Sequence, residues 1–282
     1  GLISGDSLRI NFQKEVFGED FRYEDYKHIF KAELFDADAW AELFKRSGAK
    51  YVVFTSKHHD GYCMYDSRYA KGWSSATTAP QRDFCKELTD AVRKRDMKMC
   101  MYYSLTEWTN PLYRWTVDTL KSIDEYVEKH LHPQFKEMVD MFSPSLVFSD
   151  GDWDFDYKTF KSDELVSYYF DKVGEEAIVN DRWGGGFDYG YVTPEYSEAI
   201  KQTERPWAEC RGLSRSFGLN RNADLESYLT SEELIRHFVR LVAAGGGLTI
   251  NVGPAADGSI PLLQQERLSD LGQWLEINGE AI

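Results

Sequence analysis

From about residue 37 onward, short runs of β-branched and apolar residues alternate with longer segments whose apolar positions recur every three or four residues. That rhythm belongs to repeated strand and helix units around a parallel sheet. It predicts strands at Tyr51 to Thr55, Lys98 to Tyr103, Leu146 to Ser149, Ala177 to Asn180, a short one around Trp207, and Leu248 to Val252. Between them it predicts helices over Asp36 to Arg46, Arg82 to Arg95, Ile123 to Met141, Asp163 to Val173, Ser231 to Ala244 and Leu262 to Ile277. Ser231, followed by Glu232 and Glu233, reads as a helix cap with an acidic first turn.

Polar residues fall where these strands end: His58 and His59, Tyr103 and Ser104, Asp150, Asp181 and Arg182, the Trp207 region, and Asn251. Convergence of reactive groups at the C-terminal ends of parallel strands is how a barrel builds a site, so the expected fold is a (β/α)8-like TIM barrel rather than an open doubly wound sheet. Such barrels occupy about 250 residues as one unit, and residues 1–282 are read as a single domain. The run Gly245 to Gly247 would suit a nucleotide-binding fold, but it precedes a strand, whereas a phosphate-cradling loop follows one. Trp183 to Tyr191, with Gly184, Gly185, Gly186 and Gly190, is expected to form a loop over the barrel mouth.

Composition narrows the partners. Acidic residues outnumber basic ones by 47 to 33, a net charge of -14, and no basic run is available to track phosphates, which argues against nucleic acid. No apolar stretch approaches the roughly 20 residues of a membrane-spanning helix, and the N-terminus lacks the pattern of a signal peptide. The four cysteines are too widely spaced for a zinc or disulfide framework and read as structural. Eight Trp and seventeen Tyr exceed what a core of this size requires, and such faces also stack on sugar rings.

Chemistry concentrates at two places. Leu146 to Trp153 is an apolar strand ending in a carboxylate, Asp150, followed at once by Gly151; alternation along the strand puts Phe148 on the same face, an aromatic floor beneath the acid. The competing reading of Asp150 is a turn cap with Gly151. The second place is Thr55 to Gly61, where His58 and His59 could be metal ligands. Neighbours on a strand point to opposite sides and no HxH or HExxH spacing is present, so hydrogen bonding to hydroxyls fits better than an ion.

Together with Tyr102 to Trp108 and Val179 to Gly184, these segments resemble the α-L-fucosidases of glycoside hydrolase family 29, and the resemblance continues in order through Pro206 to Cys210, Ser216 to Arg221, Gly246 to Pro254, Asp257-Gly258 and Asn278 to Ile282. It implies a retaining exo-α-L-fucosidase acting on fucosylated oligosaccharides or glycoconjugates through a covalent β-fucosyl ester. Neither a metal nor an organic cofactor is expected, and the setting would be secreted, periplasmic or lysosomal. Asp150 matches the family's nucleophile, His58 and His59 its fucose-binding pair, Tyr103 a strand-end residue doing similar work, Arg182 its arginine at the sugar site, and Phe148 its aromatic floor.

Three departures accompany the match. The family's first barrel strand carries a Phe-Gly-x-Phe-x-His-Trp-Gly motif that is expected to be missing from these residues, and so is the β-sandwich that follows the family's barrel. In the family's Trp-Glu-x-Cys motif the glutamate is the acid/base, but here Ala208 stands in its place, between Trp207 and Glu209. Glu209 is expected to project to the opposite side, and Glu204 to lie roughly 13 Å away along an extended chain. The alanine reads as an acid/base knock-out, with a catalytically dead fucose-binding homologue as the alternative; the intact remainder of the pocket favours the first.

Overall fold

The structure, a computed structural model, describes residues 6–113, 122–197 and 204–282. The strands are β1 (Tyr51–Lys57), β2 (Lys98–Ser104), β3 (Leu146–Asp150), β4 (Ile178–Val179), β5 (Ala208–Gly212) and β6 (Gly247–Asn251). The principal helices are α1 (Ser7–Phe17), α2 (Ala37–Arg46), α3 (Phe84–Arg93), α4 (His132–Phe142), α5 (Ser162–Val173), α6 (Ser231–Ala243) and α7 (Leu262–Asn278). All strand pairs are parallel: β1 to β4 follow one another in chain order, and β5 pairs with β6. Four of the connections carry a helix: α3 between β1 and β2, α4 before β3, α5 before β4 and α6 before β6. This is a barrel of the TIM type.

Residues 191–195 join the two sets of strands. Tyr191 bridges Asn180 after β4, while Val192 and Glu195 bridge Trp207 and Cys210 on the β5 side. The loop expected at Trp183 to Tyr191 is held at its end by the bridge of Tyr191 to Asn180. Trp183 is fully buried and donates its indole N–H to the Asn180 carbonyl at 2.9 Å.

Two layers of core result from the period-two alternation of the strands. Outward-facing Met99, Met101, Tyr103, Val147 and Val179 pack with Leu88 and Val92 of α3 and Phe135 and Met138 of α4. Inward-facing Cys100, Leu146 and Phe148 fill the barrel together with Tyr51, Val53, Tyr102, Tyr191 and Cys210. Much of the aromatic surplus is absorbed here: Tyr65, Tyr103, Tyr113, Tyr126 and Tyr169 are all fully or almost fully buried.

Helix starts follow the sequence closely. Asp36 accepts from the Ala39 N–H and Asp83 from the Lys86 N–H, each satisfying a donor that the first turn leaves free. At α6 the cap is one residue earlier than expected: Thr230, not Ser231, receives the Glu233 N–H, and Glu233 returns a carboxylate to the Thr230 N–H. That reciprocal capping box satisfies two donors where Ser231 would satisfy one. Gly246 lies against the Trp207 indole, where a Cβ would come within 2.3 Å of the ring, so this glycine serves close packing before β6.

Candidate active site

Asp150 ends β3 and is 8% exposed. The following Gly151 has a φ of +81°, and a Cβ there would lie 2.8 Å from Thr106 Oγ1, so the turn after the carboxylate requires glycine on both counts. Tyr102 donates its hydroxyl to Asp150 Oδ2 at 2.6 Å, and Arg182 donates Nη1 to Oδ1 at 3.2 Å. His59 Nε2 lies 3.5 Å from Oδ2, with its Nδ1 2.7 Å from Ser104 Oγ. Burial alone would raise the Asp150 pKa. The Tyr102 hydrogen bond and the positive field of Arg182 more than offset that and hold it below the ordinary carboxylate value, so it stands ionised.

His59 is driven the other way. Burial, reinforced by the neighbouring His58 ring and opposed by Asp150, lowers its pKa to about 4, which makes it a neutral imidazole at physiological pH. β1 ends at Lys57, so His58 and His59 both lie past the strand and can sit together at the mouth, their ring centroids 4.1 Å apart. His58 stacks on Tyr102 at 5.3 Å, and His59 packs between Trp108 and Trp153. Phe148 is one interior position below Asp150; its ring stacks on Tyr102 at 5.8 Å and carries the Arg182 guanidinium at 5.2 Å. The aromatic floor is present, and it supports the two side chains that grip the acid.

The expectation for Tyr103 is corrected by strand register. Phe148 pairs with Tyr102 and Ser149 with Tyr103, so Tyr102 shares the barrel interior with Phe148 and Asp150 while Tyr103 faces the helices. Tyr103 has 0% exposure and donates its hydroxyl to Gln134 Oε1 at 2.9 Å. Tyr102 is the strand-end tyrosine at the carboxylate.

Ala208, read as the acid/base position, lies low in the barrel. It is the first residue of β5, whose mouth end is Gly212, four residues and roughly 13 Å further on. The next interior position, Cys210, already packs with Phe148 in the layer below Asp150. A side chain at 208 therefore points into the lower barrel, two interior positions below the mouth end of β5. Glu209 does project outward as expected, buried against His237 of α6.

A second carboxylate reaches the site from elsewhere. Glu195 ends the extended residues 191–195 and accepts from Arg182 Nη1 at 2.6 Å, the same nitrogen that holds Asp150 at 3.2 Å. The nearest oxygens of the two acids are thus within about 6 Å of each other, compatible with the separation found in retaining glycosidases. Thr193 fixes the guanidinium by accepting Nε at Oγ1, 2.9 Å, and Nη2 at its carbonyl, 2.8 Å. Arg182, its positive form stabilised by both acids, is locked between them. Sequence reasoning passed over Glu195, although Tyr191-Val192-Thr193-Pro194-Glu195 carries the signal used for Asp150, an apolar β-branched run ending in an acid.

A cavity of about 430 Å³ opens above these groups, lined by Asp150, Asp152, Trp153, Arg182, Thr193 and Glu195 among others, within the size range of small-molecule sites. Asp152 is pushed above the ordinary carboxylate value by burial and by the charge of Asp150. Among the described residues no group of three His, Cys, Asp or Glu side chains is arranged to hold a metal ion, and no helix is long and apolar enough to cross a membrane.

Residues 4–280 match the sequence model of a family described as Alpha-L-fucosidase. An alpha-L-fucosidase of Dictyostelium discoideum is 38% identical over 282 residues, covering 96% of this chain and 60% of its own. The plasma alpha-L-fucosidase of Homo sapiens is 35% identical, covering 97% and 60%. The crystal structure of Thermotoga maritima alpha-fucosidase in complex with fucose superposes with a TM-score of 0.86 at 36% identity, over 100% of this chain and 65% of that one. The chain spans about 60% of the length of these curated relatives.

Proposed function

From the premise that this chain belongs to the alpha-L-fucosidase family, we propose that it forms the catalytic barrel of a retaining exo-α-L-fucosidase acting on terminal fucosyl groups of oligosaccharides or glycoconjugates. The observation that carries the mechanism is the shared guanidinium: Asp150 and Glu195 on one nitrogen of Arg182. Asp150, ionised and nearly buried, is the nucleophile. Its oxygen bonds to the anomeric carbon as the glycosidic C–O bond breaks, giving a β-fucosyl ester, while Glu195 gives its proton to the leaving oxygen. Glu195 is half-exposed, so its carboxyl group is open to solvent. It then takes a proton from the water that attacks the ester, and fucose leaves with its original α configuration.

His58, the neutral His59 and Arg182 are the groups that would bind sugar hydroxyls, and Tyr102 would hold Asp150 in its attacking geometry. This chemistry needs two carboxyl groups and no metal or organic cofactor. A second assignment of the acid, Asp152, is favoured by its raised pKa alone.

The test is a fluorinated fucosyl fluoride that traps the ester, followed by peptide mapping, with Asp150 as the expected labelled residue. In parallel, Glu195→Ala should lose turnover of unactivated fucosides by several powers of ten, keep reaction with fucosyl fluoride, and be accelerated by azide to give α-fucosyl azide. Azide rescue of Asp152→Ala with none of Glu195→Ala would transfer the acid role to Asp152. A protein that bound fucose and turned over neither substrate would be a binding homologue, and the proposal would fall.

A further inference from the structure

Trp153 is 58% exposed, three residues past Asp150, at the rim of the cavity that Asp150 and Glu195 line. Its ring meets His59 edge-on at 5.0 Å, and its indole N–H has no hydrogen-bond partner among the described residues. Packing does not explain a half-open indole in this setting, because its neighbours in the cavity wall include Asp150, Asp152, Asp181 and Glu195. The groups that would hold fucose are deep: Asp150, His59 and Arg182 are nearly buried, with Phe148 beneath them. Apolar surface at the rim is shared by Trp153 with Val192 and Pro194, and Pro194 adjoins the proposed acid.

We infer that Trp153 is the platform for the sugar carrying the fucose, a pyranose whose C–H face stacks on the indole while its glycosidic oxygen points at Glu195. This rests on the fucosidase reading above and adds the leaving-group side of the same site. A saccharide in the cavity puts its fucosyl ring down among the buried polar groups, so its next ring must emerge past the rim, where an indole offers a broad apolar face and a free N–H donor. Stacking there selects substrates by their leaving group and does nothing for a fucosyl donor without one.

The experiment compares Trp153→Ala and Trp153→Phe with the unaltered full-length protein on two substrates: a fucosyl-galactose disaccharide and α-fucosyl fluoride, whose leaving group is a single atom. For Trp153→Ala, kcat/KM on the disaccharide should fall roughly tenfold, with Trp153→Phe recovering part of it, while kcat/KM on the fluoride stays within about twofold. Unchanged fluoride activity also establishes that the variant is folded. Equal losses on both substrates would show that the indole serves fucose or the fold, and no loss on the disaccharide would show that it touches nothing; either result overturns the inference. If the unaltered protein hydrolyses neither substrate, it is the fucosidase reading that fails.

Discussion

Behind the site, on the helix side of the sheet, Lys57 has no exposed surface and places its Nζ 2.8 Å from Glu107 Oε1 and 4.0 Å above the Tyr103 ring. Glu107 also receives His130 Nε2 at 2.7 Å and Asn110 Nδ2 at 3.0 Å. The ion pair ties the end of β1 to the loop after β2, and that loop holds the histidine pair through the Trp108 N–H, which reaches the His59 carbonyl at 2.7 Å. Burial by itself would raise the pKa of Glu107; the Lys57 charge and the His130 hydrogen bond outweigh it and bring the value from 4.5 to about 2. Glu107→Gln keeps the shape and imitates the protonated acid. A shift of that size corresponds to about 3 kcal/mol of stability at pH 7. Because the folded pKa lies below the unfolded one, the contribution is complete above pH 4.5 and disappears as pH falls through about 2. Urea unfolding of the unaltered and Glu107→Gln proteins should therefore differ by about 3 kcal/mol at pH 7 and by about half that at pH 3. A gap below about 1 kcal/mol at pH 7, or one that does not narrow with acid, would refute the assignment of this ion pair as stabilising.

Tyr102→Phe should lower kcat by roughly ten- to a hundredfold and move the acid limb of kcat/KM to higher pH, since the carboxylate form of Asp150 loses its hydroxyl donor; Tyr103→Phe should cost about 1 kcal/mol in thermal unfolding and leave the profile unmoved. Ala208→Glu should give no gain in turnover of an unactivated fucoside, and a gain of several powers of ten would place the acid at 208 after all. Gly151→Ala forces a side chain into a left-handed turn against Thr106, so it should cost about 1 to 3 kcal/mol and reduce fluorinated-fucosyl labelling of Asp150 in a mass-spectrometric time course.

Much of this barrel is a matter of near neighbours, and that part was legible in the chain. The alternation of apolar strands and amphipathic helices located each of the six strands to within a few residues, because burial on one or both faces dictates local periodicity. The helix starts expected at Asp36 and Arg82 lie within a residue or two of the observed ones, because a cap such as Asp36 or Asp83 bonds only three residues away. Asp150 above Phe148 was equally readable, since two positions along one strand share a face whatever the strand pairs with. The tertiary structure decided everything that depends on pairing between strands far apart in sequence. Tyr102 rather than Tyr103 reaches Asp150 because β2 meets β3 in one particular register, and a slip of one residue exchanges the two faces. Ala208 falls at the foot of β5 and Glu195 rises beside Arg182 because residues 191–195 enter the barrel as an extended segment, between strands whose sequences hold no record of where that segment would be accommodated.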